Sequence, residues 1–305
     1  MRVLELFAGL GACSKALERL GVEHDIVGAV EIDKYAIASF NAIHGTNFET
    51  QDICEWDKDV EVNLLMHGSP CQDFSIAGKQ AGGDIGSGTR SSLMYETIRI
   101  VGKLRPKYVV WENVKNLLSA KHRHNFDAYL ETMKALGYTN YYQVLNAKDY
   151  GIPQNRERVF TISILGEHKP FIFPDKQRLE LRLKDVLEDK VEEKYYVDNS
   201  KCKRLASLIQ KTTFEEGKVL NMDLYNQTTN EDISQCLTEP HHNTQRLFDG
   251  YRIRKLTPKE CWRLMGFGDE DFEKAAKVNS NTQLYKQAGN SIVVNVLEEI
   301  FKKLF

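Results

Sequence analysis

Short apolar, β-branched segments alternate with segments of helical spacing over the first 165 residues. This alternation constrains the fold more than any other feature, because it is typical of a parallel sheet with helices on both faces. We therefore predict an α/β fold with a doubly wound, mostly parallel sheet. The predicted strands are 3–6, 26–30, 64–66, 108–111, 141–145 and 159–165, and the predicted helices between them are 12–20, 34–44, 91–104 and 125–136.

The pattern changes after residue 170. A charged stretch and then a stretch rich in Asn, Gln and Thr follow, and neither has a clear helical or strand period. Further on, Thr257-Pro258-Lys259-Glu260 has a capping-box layout with proline at the first helical position, which predicts a helix ending near Gly266, and a last helix is predicted over 291–304. We predict a large domain, a smaller irregular domain and C-terminal helices that return to the large domain, with ranges 1–170, 171–250 and 251–305.

Composition excludes several classes of protein. The 41 Lys and Arg residues nearly balance the 43 Asp and Glu residues, so the formal net charge of −2 excludes a uniformly basic nucleic-acid protein but not a local basic face. No apolar run reaches the ~18 residues of a membrane span and there is no signal-peptide layout, so we expect a cytoplasmic protein. The six cysteines stand singly and the histidines lack metal-like companions, so we predict neither disulfides nor a metal site.

The first predicted strand ends in a glycine-rich turn, Phe7-Ala8-Gly9-Leu10-Gly11, that leads into a helix. Small residues at such a turn let a ligand approach the backbone and the helix N-terminus. Glu31, at the end of the second strand, follows Gly11 at the offset where an acidic residue meets ribose hydroxyls in nucleotide-binding sheets. The third glycine of a dinucleotide fingerprint is absent. The pattern alone fits either a nucleotide-type cofactor or an ordinary tight turn.

Cys71 follows the third predicted strand, in the segment His67-Gly68-Ser69-Pro70-Cys71. Ligands of open α/β sheets bind at this edge. A cysteine there is a candidate nucleophile if its thiol pKa, ~8.5 when free, is lowered by nearby positive charge. The alternative is a small buried apolar residue. A long glycine-rich loop follows, which favours a functional role because such loops are candidate lids. The other five cysteines, Cys236 among them, lack this context.

Glu112 ends the next strand and should emerge at the same sheet edge as Cys71. A carboxyl group partly removed from water can hold a proton near neutral pH, whereas a solvated glutamate at a strand end is the alternative. Arg156 and Arg158 stand at alternate positions at the start of the last predicted strand. We expect their side chains to point to opposite faces, so that one faces the site while the other meets solvent or a phosphate.

Together these motifs resemble the DNA (cytosine-5)-methyltransferases of prokaryotes and phages, which use S-adenosyl-L-methionine. The resemblance covers residues ~1–165 and ~250–305, while the region between corresponds only in position to the family's target-recognition domain. It implies a Rossmann-like methyltransferase fold. The matching segments are Leu6-Phe7-Ala8-Gly9-Leu10-Gly11, Glu31-Ile32-Asp33, Gly68-Ser69-Pro70-Cys71-Gln72-Asp73-Phe74-Ser75, Glu112-Asn113-Val114, Gln154-Asn155-Arg156-Glu157-Arg158, Arg254-Lys255-Leu256-Thr257-Pro258 and Gln287-Ala288-Gly289-Asn290-Ser291.

The resemblance assigns roles to the catalytic candidates. It implies that the Cys71 thiolate adds to C6 of a cytosine, which turns the ring into an enamine that can attack a methyl group through C5. Protonated Glu112 would then act at N3, Arg158 at O2, and Arg156 would hold the active-site loop or a phosphate. A base inside a duplex hides C6, so the cytosine must be flipped out, and residues 72–90 are the loop expected to close over it.

The resemblance also implies where S-adenosyl-L-methionine binds. The cofactor would lie over the glycine-rich turn, with Glu31 on the ribose hydroxyls, Asp52 near the adenine amino group and Pro70 beside the methionine end. The implied cofactor-binding residues are Phe7, Gly9, Leu10, Gly11, Glu31, Ile32, Asp52, Ile53, Pro70, Asn290 and Ser291.

Two positions depart from the family pattern: Ala12 stands where a second glycine is frequent, and Cys236-Leu237 stands where many members have Thr-Leu. The second departure bears on how the recognition domain docks. The expected partner is double-stranded DNA, with a restriction endonuclease acting separately as a candidate second partner. We expect a monomer located at the nucleoid.

Three alternative functions compete with a DNA methyltransferase. The related transfer-RNA cytosine-5 methyltransferases usually carry a Cys-Phe-Thr segment that is absent here. A catalytically silent DNA-binding homologue would be expected to lack one of the three catalytic candidates, and all are present. A nicotinamide oxidoreductase would explain the glycine turn but not the Pro-Cys-Gln segment.

Overall fold

A computed structural model describes residues 1–70, 93–197, 217–224, 226–238 and 245–305, together with positions 207, 209, 212 and 215. Cys71 and the loop at 72–90 lie outside the described residues. The strands up to residue 165 are β1 (Arg2–Leu6), β2 (Asp25–Val30), β3 (Leu64–His67), β4 (Tyr108–Val114), β5 (Tyr138–Asn146), β6 (Gln154–Asn155) and β7 (Glu157–Leu165).

The main sheet has six strands in the order β2-β1-β3-β4-β7-β5. Strands β1 to β4 run parallel, whereas β7 is antiparallel to both of its neighbours. The predicted mostly parallel sheet is confirmed. Because β7 is reversed, its first residues lie at the same edge as the carboxyl ends of β3 and β4, and Arg158 pairs with Val114. The reversal therefore carries an arginine to the edge where Glu112 emerges.

Helices cover both faces of this sheet, and alternate strand residues point into two cores. Val3 and Met66 contribute to one core together with the first and last helices, while Leu4 and Leu65 contribute to the other core, on the opposite face. This is the doubly wound arrangement that the alternation predicted. The helices are α1 (Ala12–Arg19), α2 (Lys34–His44), α3 (Met94–Leu104), α4 (Arg123–Ala135), α5 (Pro258–Arg263), α6 (Asp269–Ala276), α7 (Asn281–Asn290) and α8 (Val294–Leu304).

The predicted start of α5 is confirmed: the Thr257 hydroxyl accepts a hydrogen bond from the Glu260 amide, and the Glu260 carboxylate accepts one from the Thr257 amide. No helix in the described ranges is long and apolar enough to cross a membrane.

A small antiparallel sheet lies in the region where the sequence shows no clear period. Its strands are β8 (Leu220–Asp223), β9 (Thr228–Glu231), β11 (Gln245–Phe248) and β12 (Ile253–Arg254). They lie in the order β12-β11-β8-β9, and each has only two to four residues, too few for a period to stand out. A further short strand, β10 (Ser234–Gln235), pairs in parallel with β6 and so docks this region beside the start of β7.

Candidate functional site

Glu112 and Arg158 form an ion pair at the edge of the main sheet. The Nε atom of Arg158 lies 3.0 Å from Oε1 of Glu112, and the Glu112 residue is only 8% exposed. Burial raises the pKa of the Glu112 carboxyl, because the charged form loses hydration, while Arg158 and Arg156 act in the opposite direction. The net effect is an upward shift, so this carboxyl keeps its proton to a higher pH than an exposed glutamate while a cation lies beside it.

Strand β4 also anchors the segment that leads to Cys71. Trp111 donates a hydrogen bond from Nε1 to Oγ of Ser69 (3.0 Å), and Asn113 donates one from Nδ2 to the Ser69 carbonyl oxygen (3.1 Å). Both flank Glu112, which lies between them on the strand. The backbone at Ser69, two positions before Cys71 in the sequence, is therefore tied to the strand that carries the candidate acid.

Arg156 is buried and bonds to two segments that are distant from it in the sequence. It is 4% exposed and donates hydrogen bonds to the carbonyl oxygens of Leu237 (2.8 Å), Gly289 (3.1 Å) and Ser291 (2.8 Å). The expectation that Arg156 and Arg158 point to opposite faces is wrong, because residues i and i+2 of a strand share a face. Both guanidinium groups instead approach the same atom, Sγ of Cys236.

Cys236 was not among the candidate site residues predicted from the sequence. Its sulfur lies 3.4 Å from Nη1 of Arg156 and 3.8 Å from Nη2 of Arg158. The two arginines lower the pKa of the thiol, against the opposing effect of burial. The departure from Thr-Leu at this position was the only sequence signal, and it did not reveal the contact because 78 positions separate Cys236 from Arg158.

A small cavity of about 50 Å³ lies between the glycine-rich turn and the end of α7. The cavity also reaches Glu112, so a bound ligand would share a space with the candidate acid. The predicted cofactor-binding residues that line it are Phe7, Gly9, Leu10, Asn290 and Ser291, and Gly68 and Ile292 complete this part of the wall.

Glu31 is oriented by the glycine-rich turn. Its Oε2 accepts a hydrogen bond from the Gly9 amide (3.0 Å) and its Oε1 accepts one from the Asp33 amide (2.9 Å). A carboxylate oxygen can accept more than one hydrogen bond, so the group keeps capacity for two ligand hydroxyls. The neighbouring Ile32 side chain is 71% exposed, which leaves an apolar surface beside the carboxylate. Burial raises the pKa of Glu31.

The segment that carries Asp52 and Ile53 lies beside Glu31 in space, because the Gln51 amide donates a hydrogen bond to the Glu31 carbonyl oxygen (2.9 Å). The Ile53 residue is 4% exposed and packs in the core. Pro70 is the last residue described before Cys71. The cofactor-binding roles of these three residues stay predictions.

Gly11 is a packing residue in this structure and does not line the cavity. Its φ is +74°, and a Cβ there would overlap Nε2 of His44 and the ring of Phe40. His44 donates a hydrogen bond from Nε2 to the Leu10 carbonyl oxygen (3.0 Å), and burial lowers the pKa of His44 to about 4, so the ring is neutral at pH 7. Only glycine can therefore hold this backbone conformation and let the turn pack closely against α2.

Glu5 lies on the cavity wall and was also missed by the sequence reasoning. It is 3% exposed and accepts hydrogen bonds from the backbone amide (3.0 Å) and the hydroxyl of Ser14. Burial raises its pKa to about 7. An acidic residue inside an apolar strand that leads to a glycine-rich turn was the available signal.

Replacing Glu5 by glutamine should remove part of the pH dependence of stability. Between pH 4.5 and about 7 the folded protein retains a proton on Glu5 that the unfolded chain releases. Stability therefore falls as the pH rises through this window, by roughly 3 kcal/mol in total. Urea unfolding at pH 5, 6, 7 and 8 should show this loss in the unmodified protein and not in Glu5→Gln. Exposed Glu23→Gln is the control, and equal pH slopes in the protein and Glu5→Gln would contradict the prediction.

Comparisons with known proteins agree over the whole chain. The family model described as C-5 cytosine-specific DNA methylase matches residues 1–305. The chain is 37% identical to the type II methyltransferase M2.ScrFI of Lactococcus lactis subsp. cremoris, with 100% of this chain and 99% of that protein covered. It is 33% identical to the orphan methyltransferase M.SPRI of Bacillus phage SPR, with coverage of 100% and 97%. The solved structure of S. pombe Dnmt2 methyltransferase matches with a TM-score of 0.72 at 20% identity and coverage of 99% and 97%, which shows a shared fold.

Proposed function

Because this chain belongs to the C-5 cytosine-specific DNA methylase family, we propose that Glu112 and Arg158 activate the target cytosine for attack by Cys71. The chain is a DNA (cytosine-5)-methyltransferase that uses S-adenosyl-L-methionine, as the resemblance predicted. The observation that supports the roles of the two residues is their buried ion pair at the sheet edge, 3.0 Å between Nε and Oε1.

The proposed chemistry follows from the electron demand of the base. Cytosine is a poor nucleophile at C5, and the Cys71 thiolate makes it one by bonding to C6 and pushing electron density toward N3 and O2. Protonated Glu112 donates its proton toward N3, and the guanidinium of Arg158 stabilises the charge on O2. Once C5 carries the transferred methyl group, the C5 proton is lost to solvent, the proton shared with N3 returns to Glu112 and the thiolate is expelled from C6, which restores the aromatic ring and frees Cys71.

The cavity residues fit S-adenosyl-L-methionine. When bound, the cofactor supplies a methyl group activated by its attachment to a sulfonium sulfur. The open backbone at Gly9, where a Cβ would meet nothing closer than 3.9 Å, leaves space for a ligand against the turn. Glu31 would accept hydrogen bonds from the ribose hydroxyls, and the exposed face of Ile32 would pack against the adenine. Asn290 and Ser291 would close the opposite wall.

Glu31→Gln should weaken binding of S-adenosyl-L-methionine about 10- to 50-fold, because an amide cannot accept on both sides. In the unmodified protein, affinity should fall as the pH drops and Glu31 takes up a proton. Its raised pKa moves that fall to a higher pH than an exposed glutamate would show. Isothermal titration calorimetry between pH 8 and 5 measures both effects.

The pH dependence assigned to Glu31 should be absent in Glu31→Gln. Glu5 titrates on the wall of the same cavity, so Glu5→Gln separates its contribution from that of Glu31. Glu55→Gln, at an exposed glutamate on the segment after Asp52, is the control. Unchanged affinity in Glu31→Gln at pH 7.5 would remove Glu31 from the ribose site.

DNA is the substrate of this enzyme, and finer statements about its partners are proposals. We propose that residues 171–250 form the target-recognition domain, with residues 1–170 and 251–305 forming the catalytic part. The enzyme would act as a monomer on duplex DNA at the nucleoid. Relatives at similar identity include a type II and an orphan methyltransferase. A separate restriction endonuclease would appear, in an extract of the cells that carry this enzyme, as a nuclease that cuts unmethylated DNA but not DNA methylated by this enzyme.

One pair of assays tests the proposed function directly. Purified protein should transfer labelled methyl groups from S-adenosyl-L-methionine to duplex DNA and not to total transfer RNA. Bisulfite sequencing of a bacterial genome exposed to the enzyme should then show 5-methylcytosine confined to one short sequence. Transfer to RNA alone would favour the transfer-RNA alternative. DNA binding without any methylation would favour a catalytically silent homologue.

A further inference from the structure

Cys236 lies between the small sheet and the edge of the main sheet that carries Glu112 and Arg158, which we call the catalytic edge. Strand β10 ends one residue before it and pairs with β6, which ends one residue before Arg156. Hydrogen bonds fix the backbone before and after Cys236: the Ser234 amide donates to the Pro153 carbonyl oxygen (2.7 Å), and the Leu237 amide donates to Oε1 of Gln154 (3.0 Å). Cys236 therefore enters the catalytic edge on a backbone with little freedom to shift.

The small sheet holds Cys236 from the other direction. Gln245 of β11 donates a hydrogen bond from Nε2 to the Cys236 carbonyl oxygen (2.8 Å). Its Oε1 accepts from Nδ2 of Asn221 on β8 (3.1 Å) and from the Ser234 hydroxyl (3.0 Å). Gln245 and Asn221 are both at least 94% buried, so water does not compete for these bonds. Two strands of the small sheet therefore hold the backbone from which the Cys236 side chain projects.

Arg158 is contacted along different edges of its guanidinium plane. Nε lies 3.0 Å from Oε1 of Glu112, Nη1 donates to the Glu157 carbonyl oxygen (2.8 Å), and Nη2 lies 3.8 Å from Sγ of Cys236. A planar guanidinium contacted at separate nitrogens cannot rotate about Nε without breaking a contact. The sulfur is the only one of these three contacts that comes from a residue outside the main sheet.

We propose that Cys236 is a positioning residue for Arg158: its sulfur accepts from Nη2, keeps Nε on Glu112 and thereby couples the small sheet to the catalytic pair. The proposal rests on the function proposed above for Glu112 and Arg158. The lowered pKa of the thiol agrees with it, because a sulfur that carries partial negative charge is a better acceptor for an arginine.

A matched pair of variants tests the contact. Threonine and valine have nearly the same shape, but only threonine offers an acceptor to Arg158. We expect Cys236→Val to lower the single-turnover rate of methyl transfer about 30-fold and Cys236→Thr to stay within about 3-fold of the unmodified enzyme. The affinity for S-adenosyl-L-methionine should be unchanged in both. Equal rates in the two variants, whether high or low, would overturn the proposal.

A second comparison shows whether Cys236 acts through Arg158. In an Arg158→Ala background, Cys236→Val and Cys236→Thr should have the same rate, because the acceptor has lost its donor. A 30-fold difference that persists in that background would contradict the positioning role. Full activity of Arg158→Ala by itself would instead refute the proposed function, so the two failures are distinguishable.

Folding is checked separately by thermal unfolding of each variant. If Cys236→Val does not fold, Cys236→Ser and Cys236→Ala repeat the comparison, since they also differ by one acceptor. Cys54→Val is the distant control: Cys54 is exposed, and its replacement should leave the rate unchanged.

Discussion

Glu112→Gln is expected to slow methyl transfer about 10³-fold in a single-turnover assay. The variant keeps the size of the side chain but removes the acidic proton that the cytosine ring needs at N3. Burial raises the pKa of Glu112, so the active, protonated form persists to a higher pH than it would in an exposed glutamate. The rate of the unmodified enzyme should fall as the pH rises through that pKa, and this alkaline fall should be absent in Glu112→Gln, which has no such proton to lose.

Glu298→Gln is the matched control for Glu112→Gln. Glu298 is also paired with an arginine, Arg19 at 2.8 Å, and burial also raises its pKa, but it lies on α8 away from the cavity residues. Its replacement should leave the rate unchanged. Cys71→Ser, which removes the nucleophile implied by the family, should abolish methyl transfer and so give the background rate of the assay. A Glu112→Gln rate within tenfold of the unmodified enzyme would exclude Glu112 as the acid.

Arg156→Met is expected to reduce the free energy of unfolding by about 3–5 kcal/mol. Methionine fills similar space but cannot donate hydrogen bonds, so the carbonyl oxygens of Leu237, Gly289 and Ser291 lose a buried donor. These carbonyls lie 81, 133 and 135 positions away in the sequence, on two segments, so the variant weakens the contact of both segments with the start of β7. The melting temperature should fall by on the order of 10 °C.

The exposed Arg178 supplies the control for this prediction. Arg178→Met removes the same charge from the surface and should change stability by less than about 0.5 kcal/mol. Chemical unfolding of both variants at one pH and salt concentration gives the comparison. The loss of stability in Arg156→Lys should lie between those of the two methionine variants. An ammonium group keeps the charge but lacks the separate guanidinium nitrogens that donate to carbonyl oxygens in different directions. A loss below about 1 kcal/mol in Arg156→Met would mean that water replaces the guanidinium without penalty.

The sequence predicted the main sheet well because its signal is local. Strands β1 to β4 and helices α1 to α4 all lie within a few residues of their predicted positions, and the capping box at Thr257 marks α5 correctly. The family predicted from the motifs is confirmed over the whole chain. The small sheet was not predicted, because strands of two to four residues carry too little periodicity to be recognised.

The roles of individual side chains were predicted less completely. Glu112 and Arg158 were both named, and the structure brings them together. Arg156 was predicted to hold the active-site loop or a phosphate, and that role stays a prediction. The structure shows it bonded to the carbonyl oxygens of Leu237, Gly289 and Ser291. Gly11 packs against α2, and its cofactor-binding role stays a prediction. The predicted role of Cys71 stays a prediction.

The sequence by itself determined the order of the main strands and helices over the first 165 residues, the sheet edge at which chemistry can occur and the family, because residue periodicity and short motifs encode these locally. Only the tertiary structure decided which side chains meet. The reversal of β7 beside β4 pairs Arg158 with Glu112, and the docking of β10 on β6 brings Cys236 to both arginines. Such contacts join residues tens to more than a hundred positions apart, and their physical cause is the packing of whole segments, which no local pattern records.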